Sequence, residues 1–210
     1  MLDFPVKTFF NRTIPKAKFY EKLAINSALK NVFVNEIERI VWRNKLSAAT
    51  LNVREGSRVL EIEVLEIVLK SEALNEAALK LIDQGIPYHI LFLLKNRERY
   101  MACMGFKDLE ERTISEYFKT GWMEFAELPL AIEGLTLDDV YDHFICQLNT
   151  RLSSANEGGL KAAIAADAQC QKKEQQIARL EKQMRAEKQP KRKFELYREL
   201  LVLREKICNR

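Results

Sequence analysis

Cysteine, histidine, glycine and proline are all scarce in this sequence, and each shortage closes off a class of protein. The four cysteines (Cys103, Cys146, Cys170, Cys208) lie far apart, form no CxxC pair and are accompanied by only two histidines. That pattern argues against a structural zinc site and suits reduced thiols in a cytoplasmic protein. The seven glycines form neither GxGxxG nor GxxxxGK[ST], so the usual nucleotide cradles are absent. No run of about 18 apolar residues occurs, so no membrane span is expected, and the opening "MLDFPVKTFF" lacks a signal-peptide core. A strong excess of one charge is missing too, because 34 basic residues face 30 acidic ones.

What is present suits a folded domain. Of the 210 residues 47% are hydrophobic and 30% charged, enough for a real core and a well-solvated surface. The length fits one moderate domain and an appendage.

The patterning gives an order of elements. "NRTIPKAKFYEKL" mixes Arg12, Lys16 and Lys18 with Phe19 and Tyr20, and Pro15 makes it extended. "SALKNVFVNEIERIVWRNKLSA" places Leu29, Phe33, Ile37, Ile40 and Val41 at helical spacing and predicts one long helix. "TLNVREGSRVLEIEVLEIVL" predicts a β-hairpin with Gly56 in its turn. "NEAALKLIDQG" predicts a short helix with Asn75 as N-cap and Gly85 as its stop. "IPYHILFLLK" and "RYMACMGFK" flank the polar "NRER" and predict a second hairpin, and "YFKTGWMEF" a further strand. "TLDDVYDHFICQL" reads as a helix capped by Thr136, with Asp139 three residues on.

From "SSANEGG" onward the composition changes. Ile177, Leu180 and Met184 form one apolar seam; beyond Pro190, Leu196, Leu200, Leu203 and Ile207 form another. The expected domains are therefore an α+β domain over 1–152, with a mixed sheet of four to five strands under covering helices, a linker over 153–159, and a helical hairpin or coiled coil over 160–210. From Lys172 onward 13 basic residues face 6 acidic ones, so the positive excess belongs to the tail.

Two kinds of site are candidates. In "VLEIEVLEIVLK", strand alternation puts Glu66 and Lys70 on a face with Ile62, Val64 and Val68. An acid and a lysine on one strand, with Glu36 or Glu38 upstream, is the rough plan of metal-dependent PD-(D/E)xK nucleases, where carboxylates hold Mg²⁺. That motif spaces acid and lysine two residues apart, about 7 Å; here they are four apart, about 13 Å, and Val68 stands in the lysine's place. The competing reading pairs Glu66 with Arg39 or Arg43 of the preceding helix, since a charge on an apolar face is costly without a partner. His89, on a strand, reads as a half-core residue, and Asp139 with His143 as a surface ion pair. The second kind is basic. Arg12, Lys16 and Lys18 in the N-terminal arm, and Lys191, Arg192 and Lys193 at the tail's turn, are the candidate nucleic-acid contacts, set against solvated faces.

The blocks "NRTIPKAKFY", "EIERIVWRNKLSAATLNV", "IDQGIPYHILFLLK" and "GLTLDDVYDHFICQL" resemble a bacterial family, the domain of unknown function numbered forty-three ninety-one. The resemblance covers most of residues 4–150 and the tail more loosely. It implies a neighbourhood of helicase and DNA methyltransferase genes in restriction or phage-defence islands, hence a partner in a DNA-directed complex. The expectation is thus a non-catalytic adaptor, without a cofactor, that meets a protein partner or itself through the tail, with nucleic acid as a candidate second contact. A divergent nuclease using Glu66, Lys70, Glu38 and Mg²⁺ is the alternative.

Overall fold

The computed structural model describes residues 4–22, 27–108, 113–152 and 159–208. The chain divides into two compact units, Met1–Thr150 and Arg151–Arg210. The expected linker lies, apart from Gly159, outside the described residues.

The first unit is a mixed sheet of seven strands, not four or five. Strands β1 (Phe9–Ile14), β2 (Ile37–Ser47), β3 (Glu61–Leu69), β4 (His89–Asn96), β5 (Arg99–Asp108) and β6 (Thr113–Lys119) lie side by side in chain order, and β7 (Met123–Glu124) also pairs with β5. All pairs are antiparallel except β3 with β4. A parallel pair needs a crossover, and α4 (Glu76–Gly85) supplies it. Asn75 caps α4 by accepting the Ala77 amide at 2.9 Å, as its sequence predicts.

The long helix expected from residue 27 is two elements. Helix α2 (Ser27–Asn35) ends, and the chain continues as β2, a full strand. The reason for the misreading is physical. Buried Ile37, Ile40, Val41, Asn44 and Leu46 recur at helix-like intervals because the β2–β3 register shifts between Ile37 and Arg39 and again between Trp42 and Asn44. Each irregularity inserts a residue and resets the period-two alternation.

The hairpin expected around Gly56 is also absent. Ser47 and Thr50 cap a four-residue helix, α3 (Ala48–Leu51), and β3 pairs with β2 across it. Gly56 sits instead beneath Asp138, where a Cβ would lie 2.3 Å from a carboxylate oxygen. That carboxylate accepts the amides of Ser57, Arg58 and Val59 and so fixes the loop.

One sheet face carries Ile40, Leu65, Ile67, Leu69, Ile90, Phe92 and Cys103, which pack with Phe19 of α1 (Ala17–Lys22), Phe33 of α2 and Leu79 and Ile82 of α4. Alternation turns Ile62, Val64, Leu91, Leu93, Ala102 and Met104 to the other face. There α5 (Leu137–Leu148) packs on β5, burying Val140, Tyr141, Phe144, Ile145 and Leu148. The Thr136–Asp139 capping box forms as expected. Burying an aliphatic or aromatic side chain of this size is worth about 1.5–3 kcal/mol, and β3 is buried along nearly its whole length.

The second unit is the expected helical hairpin, α6 (Gly159–Ala186) and α7 (Pro190–Cys208). Pro190 opens α7, where its missing N–H costs nothing. Arg204 of α7 meets Glu181 of α6 at 2.7 Å, so the helices run antiparallel.

Candidate functional site: an interaction face on the helical hairpin

Of the residues that the sequence nominates for nuclease chemistry, Lys70 and Glu38 both act on the Lys16 charge, whereas Glu66 is engaged elsewhere. Glu66 is 8% exposed, and its Oε2 accepts from Arg43 Nη1 at 2.5 Å. The partner is one of the two expected arginines, but it comes from the adjacent strand β2 and not from a helix. The Arg43 guanidinium also lies 4.6 Å from the Phe125 ring centroid, a cation–π contact that fixes its fork. Lys70 falls just past the end of β3, and its ammonium donates to the Val34 carbonyl at 2.8 Å. Glu38 is exposed on β2, and Glu36 accepts the Asn75 amide. Among the described residues no three His, Cys, Asp or Glu side chains are grouped as a metal would require.

The N-terminal arm is largely committed to the fold. Lys16 donates to the carbonyls of Ile37 (2.8 Å) and Phe33 (3.2 Å), so its ammonium ties β1 and α1 to the start of β2. Burial, then the charge of Lys70, hold it below the ordinary lysine range. Phe19 is buried against Phe33 with ring centroids 6.0 Å apart, so it offers no stacking platform. Arg12 lies over the Phe10 ring at 4.5 Å and, like Lys18, is exposed.

His89 is fully inside, not half-buried, against Tyr141 at 4.5 Å between ring centroids. Burial, reinforced by the Lys107 charge, lowers it to about 4, so it is a neutral packing residue at physiological pH. His143 meets the main-chain carbonyl of Asp139 at 2.8 Å. It forms no side-chain ion pair with Asp139, whose carboxylate is engaged in the cap.

Among the buried polar residues that the sequence does not announce, two groups carry charge on the sheet unit. Lys107 donates to Asp83 Oδ1 at 3.2 Å and to the carbonyls of Ile86 (2.6 Å), Asp83 (2.8 Å) and Tyr88 (2.9 Å), while Tyr117 donates its hydroxyl to Asp83 Oδ2 at 3.0 Å. Asp83 is 1% exposed, and burial raises its carboxyl although Lys107 pulls the other way. Gly105 permits this approach, since a Cβ there would stand 3.2 Å from Asp83 Oδ2 and 2.9 Å from Ile114. The Lys107 ammonium shares its three N–H groups among these acceptors and each Asp83 oxygen has a donor, so the ensemble locks the end of α4 to the sheet. A signal existed: Asp83 follows Leu79 by four, which places an acid in the apolar stripe of α4. The second group is Glu63, pushed up to about 7 by burial, with the neighbouring Glu61 carboxylate adding to the rise.

The hairpin offers the remaining candidate. Ile177, Leu180 and Met184 of α6 are half-buried, and on α7 Leu200 is 2% exposed with Leu196 and Leu203 half-buried, which realises the two expected seams; the side chain of Ile207 lies outside the described residues. The exposed flank of α7 is not polar either. Phe194 is 61% exposed, Tyr197 45%, Leu201 41% and Val202 51%. Spacings of three and four put Phe194, Tyr197 and Leu201 in one stripe about a quarter turn from Leu200, with Val202 beyond it near the far side. An apolar stripe rimmed by charge is the form of a protein-contact face. The basic residues at the turn frame it. Lys191, Arg192 and Lys193 are exposed in the first turn of α7, and Arg192 Nε lies 3.6 Å from Glu187. Successive residues stand about 100° apart around a helix, so the three cations fan out and do not form one phosphate clamp.

The chain matches, over residues 2–207, the family described as Domain of unknown function (DUF4391). It belongs to that family. The match spans the sheet unit and both helices of the hairpin, so the DUF4391 region includes the exposed α7 stripe. No curated protein and no solved structure matches the chain. No helix among the described residues is long and apolar enough to cross a membrane.

Proposed function

We propose that this DUF4391 protein is a non-catalytic adaptor whose helical hairpin docks a protein partner through the outer face of α7. One observation carries the reading: Phe194, Tyr197, Leu201 and Val202 lie exposed on a helix whose other seam is already satisfied by α6. Aromatic anchors of this type dominate protein interfaces when buried. The surrounding cations favour a partner with an acidic rim, because complementary charge speeds encounter and fixes register. A bacterial DNA-directed complex, of the restriction or phage-defence kind, is the setting the family resemblance suggests. The nuclease alternative has no observation in its favour, because the Glu66 carboxylate is taken up by Arg43.

The test is a pair of baits, the wild type and Phe194→Ser/Leu201→Ser, expressed in the native host. A partner retained in near-stoichiometric amount by the first and lost by the second supports the reading. Direct DNA contact is a separate arm. Retention on DNA at low salt, falling by about 0.9 log units per phosphate contact per log of salt and flattened by neutralising Lys191, Arg192 and Lys193, would place nucleic acid on the tail as well. No retention would leave protein contact alone.

A further inference from the structure

The sheet unit holds a cleft that the adaptor reading does not use. Where the 72–75 segment and the first turn of α4 stand off the helix-covered face of the sheet, a cavity of about 440 Å³ opens beside β4, β5 and β6. Its floor is Leu79, Leu94, Met101 and Cys103, and Trp122, half-buried, forms a wall. Small-molecule sites are mostly apolar concavities of about 300–1,000 Å³ with a few polar groups at the mouth, and this cleft has that form. Cys103 is buried and its thiol is pushed up to about 12 by burial, so the floor is chemically inert.

The mouth chooses the ligand's charge. Glu36, Glu72 and Glu76 line it against one ammonium, Lys119, and the Arg99 guanidinium, held between Glu72 and the Trp122 carbonyl, stands beside them. Lys119 is already paired with Glu76 at 2.9 Å. Glu36 gives one oxygen to the Asn75 amide, and Glu72 gives one to Arg99 at 3.3 Å. An ionised carboxylate accepts at two oxygens with about four lone-pair positions, so Glu36 and Glu72 keep capacity for another donor. The Trp122 indole and the Met101 thioether are soft, polarisable neighbours for a cation with an apolar body.

We infer that this cleft binds a small amphipathic organic cation, its alkyl or aryl body on the Leu79–Leu94–Met101 floor and its ammonium at the Glu36 and Glu72 carboxylates. Neutral molecules of the same shape gain the floor alone, and anions meet an excess of negative charge. The inference stands apart from the role of the hairpin, since all the residues involved belong to the sheet unit.

Three probes with one aryl body separate the outcomes: phenethylammonium, 2-phenylethanol and 3-phenylpropionate, each titrated into the full chain by calorimetry. Saturable binding of the ammonium is expected, up to about fivefold tighter than the alcohol, which is the scale of one exposed ion pair; the carboxylate should bind most weakly. Glu36→Gln/Glu72→Gln should bring the ammonium down to the alcohol's affinity while leaving the alcohol unchanged, and Trp122→Ala should weaken both. Equal affinities for the three probes, a preference for the anion, no saturable binding, or undiminished ammonium binding to Trp122→Ala would each overturn the inference. Should a variant fail to fold, the charge series on the wild type still decides.

Discussion

Lys107→Met removes the cation at the base of the sheet unit, and its cost can be worked from the contacts. The Lys107 side chain is 9% exposed and that of Asp83 2%, so the pair is out of reach of bulk water. Methionine keeps most of the stem's volume and apolar packing, which leaves the loss mainly electrostatic. Three carbonyls in and just after the last turn of α4 lose their donor, and the Asp83 carboxylate keeps only Tyr117. Removing one partner of a buried pair typically costs about 3–5 kcal/mol. For a unit of this size that corresponds to about 6–20 °C in melting temperature. Asp83→Asn should cost less, since the amide retains an acceptor and nearly the same shape, and Asp83→Asn/Lys107→Met should cost less than the sum of the two. Both tryptophans, Trp42 and Trp122, belong to the sheet unit. Their fluorescence during urea unfolding therefore follows that unit without interference from the hairpin. A shift in the Lys107→Met midpoint equivalent to less than about 1 kcal/mol would refute the assignment of Asp83 and Lys107 as the lock between α4 and the sheet.

Other perturbations have equally definite outcomes. Glu63, at about 7 in the fold against 4.5 unfolded, holds its proton more tightly when folded, so stability is lost as pH rises from about 4.5 to 7; Glu63→Gln should gain on the wild type across that window by about 1–3 kcal/mol, and a constant difference from pH 4.5 to 8 would contradict this. His89, at about 4 against 6.5, acts with the opposite sign, being protonated first in the unfolded chain, so its contribution is lost as pH falls from 6.5 toward 4; the wild-type profile should thus be flatter between pH 4.5 and 6.5 than that of His89→Gln. Glu66→Ala strands the partly exposed Arg43 and should cost about 1–2 kcal/mol, with Glu66→Gln milder; a rise in wild-type melting temperature with Mg²⁺ that Glu66→Gln abolishes would instead revive the metal reading. Leu180→Asp/Leu200→Asp should melt the α6–α7 pairing, seen as lost helical circular dichroism, while the tryptophan-monitored transition stays in place.

How far the sequence could be read depended on whether the pattern and its cause lay in the same segment. Asn75 and Thr136 cap helices from within their own turns, and both were predictable. The β4–β5 hairpin closes locally through the turn after Asn96, and it too was visible. In β2 the register irregularities break the alternation, and the surviving Ile37–Ile40–Val41 spacing imitates a helix. Gly56 stood out as special, but its constraint comes from Asp138, 82 positions on, and not from a turn. The solitary Glu66 did signal a partner, and Arg43 was among the two proposed; only its element was wrong, because the helix carrying it was wrong. Asp83 and Lys107 meet across 24 residues through a crossover that alternation alone does not announce. The α7 stripe was hidden for another reason. The seam that pairs α6 with α7 takes up Leu196, Leu200 and Leu203, and Phe194, Tyr197, Leu201 and Val202 form no face of their own until the hairpin shows which side is left over.

The adaptor role rests on that left-over side, and quantitative co-purification from the native host tests it most directly. Wild-type protein and Phe194→Ser/Leu201→Ser, matched in helicity and in tryptophan-monitored stability, are used as baits at equal amounts. The account predicts one protein recovered near one-to-one with the wild type and reduced at least tenfold with the variant. The same partner recovered equally by both baits would contradict it.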